Sequence, residues 1–201
     1  MNELIDYPGF VVEPRLISMS KANMIGMLFF AVFILLYGIP FCLLWDLKEE
    51  LAAIKDSLYN KASNAWWVYG IVIIIGVVLN ELIHGIVFVS FAKQGFKSIK
   101  FGIIWKMLTP YAHCKEPLRV RPYMLGVVMP FLLVGFLPAI YSIFTGNLPL
   151  LFFAIFFSGA AVGDFMILNL IYKENKDNLV LDHPTEGGCF ILKKVTNPAD
   201  L

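Results

Sequence analysis

The chain has 201 residues, 59% of them hydrophobic and only 15% charged, and its mean hydropathy is +0.74. Soluble globular domains carry about 25% charged residues, so this composition excludes an ordinary water-soluble domain and points to lipid as solvent. A formal net charge of +1 gives no reason to invoke a nucleic-acid partner.

Taken in chain order, residues 1–22, with Pro8, Gly9 and Pro14, read as a short amphipathic lead along the membrane interface. A spanning helix takes about 20 mostly apolar residues, and the first such run covers 24–45. It is too long for the apolar part of a signal peptide and has no small-residue cleavage site, so it is expected to stay as an anchor. The acidic–basic stretch 46–63 places Leu47, Leu51, Ile54 and Leu58 at helical spacing and predicts a surface helix at the outer face. The second apolar run covers 66–91.

Residues 95–119 break the pattern. Phe96, Ile99, Phe101, Ile103, Ile104 and Trp105, then Tyr111, Ala112 and His113, predict two short strands around Thr109-Pro110. Open sheet edges cannot face lipid, so a re-entrant hairpin here must be shielded by helices or line a cavity. The third and fourth runs cover 123–144 and 148–172. Pro130 and Pro138 are expected to kink the third, because proline cannot donate to the helical ladder. The short tail 173–201 holds Leu179-Val180-Leu181, a turn through Pro184–Gly188 and then Cys189–Leu192, which reads as a small hairpin. The expected fold is therefore an all-α membrane protein. It is a four-helix transmembrane bundle in one integral-membrane domain, with a re-entrant β-hairpin between the second and third spans.

Lysine and arginine placement sets orientation. Seven lie between the second and third spans (Lys93, Lys97, Lys100, Lys106, Lys115, Arg119 and Arg121), whereas Thr145-Gly146-Asn147 has none. The lead carries Arg15 and Lys21, and the tail carries Lys173, Lys176, Lys193 and Lys194. The chain is thus expected in the cell membrane as a multi-pass protein, both termini cytoplasmic and the lipid bilayer its first partner. Cys114 and Cys189 fall on the reducing side and Cys42 within a span, so no disulfide is expected.

The ionisable residues inside the four runs are Glu81, His84 and Asp164. Such groups at bilayer depth are costly and mark function. Asn80 and His84 lie 14 and 18 residues past Trp66, and Asp164 lies 16 past Leu148. At about 1.5 Å per residue all three reach the same depth. Residues 80 and 84 share one helix face, which is how two ligands reach one ion. The pentad Asn80-Glu81-Leu82-Ile83-His84 is one residue from the His-Glu-x-x-His zinc-protease motif. Gly159-x-x-x-Gly163 is a small-residue pattern that lets helices approach closely.

Asn80-Glu81-Leu82-Ile83-His84-Gly85, then Ala112-His113-Cys114-Lys115-Glu116-Pro117-Leu118, Gly163-Asp164 and Leu181-Asp182-His183-Pro184 resemble the putative zincin peptidase family of bacterial membrane proteins. That family is itself similar to the site-2 intramembrane zinc metalloproteases. The resemblance implies a zinc cofactor, with Glu81 as general base and His84 and Asp164 as ligands. Asn80 stands where the family has its first histidine. A catalytic zinc takes three protein ligands and an open position, so the third ligand is left between Asn80, His113 and Cys114.

Three functions compete on this reading. One is an intramembrane zinc metallopeptidase hydrolysing a peptide bond in a membrane-associated substrate. Another is a catalytically inactive relative that binds or regulates a membrane partner. The last is a small ion-coupled transporter using the three ionisable residues as a relay, although no repeated halves are visible. A di-iron carboxylate bundle is excluded, since it needs two Glu-x-x-His pairs and two further glutamates.

Overall fold

The computed structural model describes residues 7–59, 66–104 and 109–195. The chain runs β1 (Phe10–Leu16), α1 (Met19–Leu44), α2 (Leu47–Tyr59), α3 (Trp66–Val89), a 3-10 turn (Gly95–Ser98), β2 (Ile99–Ile104), β3 (Thr109–Cys114) and β4 (Leu118–Arg119). It continues with α4 (Val120–Pro130), a π-helical segment (Phe131–Phe136), α5 (Leu137–Thr145), α6 (Leu148–Ala160), α7 (Val162–Ile171), β5 (Leu179–Asp182) and β6 (Gly188–Lys194). Four helical stretches are long and apolar enough to cross a membrane: Ala22–Leu44, Trp67–Val89, Val120–Thr145 and Leu148–Ile171. The helical class is as expected for these stretches.

The all-α expectation is corrected at the two ends of the chain. Part of the lead is a strand: residues Phe10 to Leu16 pair antiparallel with Lys194 to Gly188. A four-stranded sheet results, in the order β1-β6-β5-β4. Glu13 and Arg15 alternate with Val12, Pro14 and Leu16 at period 2, which suits an edge strand, and proline is tolerated there. The hairpin predicted between the second and third spans is present as β2 and β3, and the tail hairpin as β5 and β6. Thr109 and Pro110 do not form the first hairpin's turn: they open β3, opposite Ile104 and Ile103. Trp105 and the rest of 105–108 lie outside the described residues.

The chain forms two compact units. The first comprises residues 1–22, 81–129 and 163–201, and the second 23–80 and 130–162. In the first unit, Phe88, Val120, Tyr123, Val127 and Ile171 from the helices share a core with Cys114, Val180 and Ile191 from the strands. A smaller cluster of Leu181, Phe190 and Leu192 takes in Phe10 and Val12 of β1.

In the second unit, Phe33, Tyr37 and Phe41 of α1 are buried together with Leu151, Ala154 and Phe157 of α6. Pro130 precedes the π segment, which closes with Leu137 N–H on the carbonyl of Leu132, five residues back. The kink expected from the prolines is therefore a change of ladder register. Near its end Gly135 lies against Ser158, whose hydroxyl is 3.2 Å from Tyr37 Oη. Of the glycine pair on the fourth span, only Gly159 serves close approach: a Cβ there would lie 2.7 Å from the Phe30 ring, while Gly163 has nothing within 4 Å. Asp46 starts α2 by accepting from Lys48 N–H at 2.8 Å. Asn147 likewise starts α6 by accepting from Leu150 N–H at 3.0 Å.

Candidate metal centre

His84 is buried on α3, and its surroundings fix both ring nitrogens. Nδ1 lies 2.9 Å from the Gly126 carbonyl on α4. A carbonyl can only accept, so Nδ1 carries a proton and Nε2 is the nitrogen left to face a ligand. Nε2 points at Asp164 Oδ2, 3.6 Å away. That gap is too wide for a direct hydrogen bond, which needs about 2.7–3.2 Å.

It is close to the edge of a zinc coordination tetrahedron. Ligands about 2.0–2.1 Å from the ion at tetrahedral angles lie about 3.3–3.4 Å apart. The spacing and the donor types, an imidazole and a carboxylate, thus fit two positions of a zinc site. Metal-bound histidines as a rule donate the other ring N–H to a carbonyl or carboxylate, and the Gly126 carbonyl meets that requirement.

The neighbouring residues explain how this placement arises. Gly85 follows His84 and leaves room for β2, since a Cβ there would lie 2.5 Å from the Phe101 ring. Phe88, one turn beyond His84, stacks on the imidazole with ring centroids 6.2 Å apart. It also fills the space that Gly126 leaves by having no side chain. Glu81 lies one turn before His84 on α3 and is half-buried. Asn80 is one turn before His84 on the same continuous helix.

His113 is not brought to this pair. Among the described residues no group of three or more His, Cys, Asp or Glu side chains is placed to hold a metal. His113 sits on β3 opposite Lys100, its ring 4.2 Å from that of Tyr111. Burial lowers its pKa, against the opposing pull of the Asp182 carboxylate. Cys114 faces the apolar core, and burial pushes its thiol up to about 11. Its Sγ lies 3.3 Å from the Glu116 carbonyl. Neither residue supplies a third ligand in this arrangement.

Two carboxylates outside the spans carry contacts that sequence reasoning did not assign. Glu116 accepts from Lys93 N–H at 2.8 Å, Gln94 N–H at 3.1 Å and Ser98 Oγ at 2.6 Å. It thereby fastens the 3-10 turn that leads from α3 into β2. Hydrogen bonding from Ser98, with the two backbone donors, holds its carboxyl below the usual range. Asp182 accepts from Cys114 N–H at 2.6 Å and from the Tyr123 hydroxyl. Burial raises its pKa, opposed by the nearby His113 and by these two donors. Both belong to segments that carried the family resemblance, and that was their one signal. Tyr123 gave none, because a tyrosine opening a span reads as an interfacial aromatic.

No curated protein and no solved structure shows a significant match to the chain. A family profile described as a putative zincin peptidase matches residues 73–179, a segment that takes in Asn80, Glu81, His84, His113 and Asp164. The match spans more than half of the chain, and the protein belongs to the putative zincin peptidase family.

Proposed function

We propose that the protein is a membrane-embedded zinc metallopeptidase of the site-2-protease type, hydrolysing a peptide bond in a membrane-associated protein. The observation that carries this reading is the convergence of His84 Nε2 and Asp164 Oδ2 across 3.6 Å, with the imidazole tautomer set by Gly126. His84 and Asp164 would hold the ion, with Asn80 at the remaining motif position. When bound, zinc supplies a Lewis acid and a water acidified toward a pKa of about 7.

The chain's own part in the reaction is proton handling and positioning. Glu81, one turn before His84, takes the proton of the attacking water and returns it to the leaving amine nitrogen. The Gly126 carbonyl keeps the His84 proton on Nδ1 throughout. The stack of Phe88 on the imidazole excludes water from that side of the ring. In the cell this chemistry would take place in the membrane, with both termini on the cytoplasmic side.

The inactive-relative reading is favoured by one specific fact, the amide of Asn80 at a ligand position. An amide oxygen is a weak donor to zinc beside imidazole or thiolate. Zinc content per chain after purification in detergent separates the two. The peptidase reading expects metal in the native protein, its loss in His84→Ala and Asp164→Ala, and loss of proteolysis with metal retained in Glu81→Gln. A native protein free of zinc that acquires it only as Asn80→His would establish the inactive relative.

A further inference from the structure

We infer that Asp182 is a positioning residue for His84, acting through Tyr123 and the seating of α4. The inference deepens the proposed function, and the residue lies outside the segment matched by the family profile, which ends at 179. Asp182 is the last residue of β5, yet its carboxylate binds two other elements. Oδ2 accepts from the Cys114 N–H at the end of β3, and Oδ1 accepts from the Tyr123 hydroxyl in the first turn of α4. Tyr123 is 1% exposed, so its hydroxyl has left water and depends on this acceptor.

Gly126 follows Tyr123 by three residues and lies on the same side of α4. Its carbonyl takes the His84 Nδ1 proton at 2.9 Å. Phe88 stacks on both rings, 6.2 Å from His84 and 5.4 Å from Tyr123 between centroids. A rotation or slide of α4 that broke the tyrosine's bond to Asp182 would therefore carry the Gly126 carbonyl away from the imidazole. It would also unseat the ring that packs between them. The tail hairpin thus sets which nitrogen of a candidate metal ligand is free, without touching the ligand.

The test reads the imidazole directly. The full chain is labelled with 15N-histidine in lipid nanodiscs without metal, and His84 is assigned by its loss in His84→Asn. In spectra taken at a pH where the ring is neutral, the native imidazole is expected to hold its proton on Nδ1. Tyr123→Phe and Asp182→Ala are expected to mix the tautomers and to weaken zinc binding by about tenfold, the lower end of outer-shell effects. Asp182→Asn is expected to restore the native signature. Its amide oxygen can accept from Cys114 N–H while its amide N–H donates to the tyrosine oxygen.

Should Asp182→Ala fail to fold, Tyr123→Phe, which removes one oxygen, decides the matter. A native His84 tautomer in Tyr123→Phe overturns the inference, as does a native tautomer in a folded Asp182→Ala of lowered Tm. A shifted tautomer in a protein that binds no zinc sustains the positioning role while refuting the peptidase.

Discussion

At the scale of single residues, the arrangement rests on which positions can bear a side chain. Gly159 and Gly163 look equivalent in the sequence, but their surroundings differ. A Cβ at Gly159 would press on the Phe30 ring, whereas Gly163 faces open space. Overpacking costs about 1–3 kcal/mol, and alanine exceeds glycine in helix propensity by about 0.8–1.0 kcal/mol. Gly159→Ala is therefore expected to lower the Tm in detergent by several degrees, while Gly163→Ala leaves it unchanged or raises it. Equal effects at the two sites would refute the packing argument. By the same logic Gly126→Ala should destabilise the protein and disturb His84 together, because its Cβ would occupy the place of Phe88.

Among elements, the edge strand β1 is held to β6 by the ladder and by charges on its exposed side. Lys193 Nζ lies 2.7 Å from Glu13, and Arg15 bridges Glu13 at 2.9 Å and Glu174 at 3.3 Å. The hydrogen bond from Lys193 holds the Glu13 carboxyl below its ordinary value. A carboxylate lowered in the folded state contributes stability above its unfolded pKa and loses it as the pH falls through the folded one. Exposed pairs of this kind contribute about 0.2–1 kcal/mol and are screened by salt. Lys193→Ala is accordingly expected to lower stability slightly at pH 7. The difference should vanish at pH values below the carboxylate range and shrink in molar salt, both followed by thermal unfolding. A difference that persisted in acid would place the role of Lys193 in packing.

For the whole molecule, the four long apolar helices leave many large side chains on the outside. Met27, Leu43 and Ile74 are 77%, 80% and 64% exposed. Monomeric soluble proteins do not carry such contiguous apolar surface. Removal of detergent is thus expected to precipitate the protein, read by size-exclusion chromatography. By the positive-inside rule the lysine-rich connection between the second and third apolar helices is expected to face the cytoplasm, so reporters fused at either terminus are expected to be active there. One terminal reporter facing outward would overturn that topology.

The sequence by itself determined the four long apolar helices and the places of Glu81, His84 and Asp164 along them. The reason is local: a chain in lipid must satisfy its backbone within each segment, so about 20 apolar residues in a row already specify a helix. Asp164 and His84 could be expected to meet, since each is costly alone in a bilayer. The two hairpins were also legible, from alternation and turn residues over short distances. What only the tertiary structure decided is non-local. The pairing of β1 with β6 joins residues nearly a chain length apart, and short amphipathic stretches leave helix and strand open. His113 was a plausible third ligand by sequence and stands instead with Tyr111 and Lys100, because strand register, which no local pattern encodes here, set its direction. Asp182 and Tyr123 acquired their meaning in the same way, as two polar groups leaving water together at the junction of a strand and a helix.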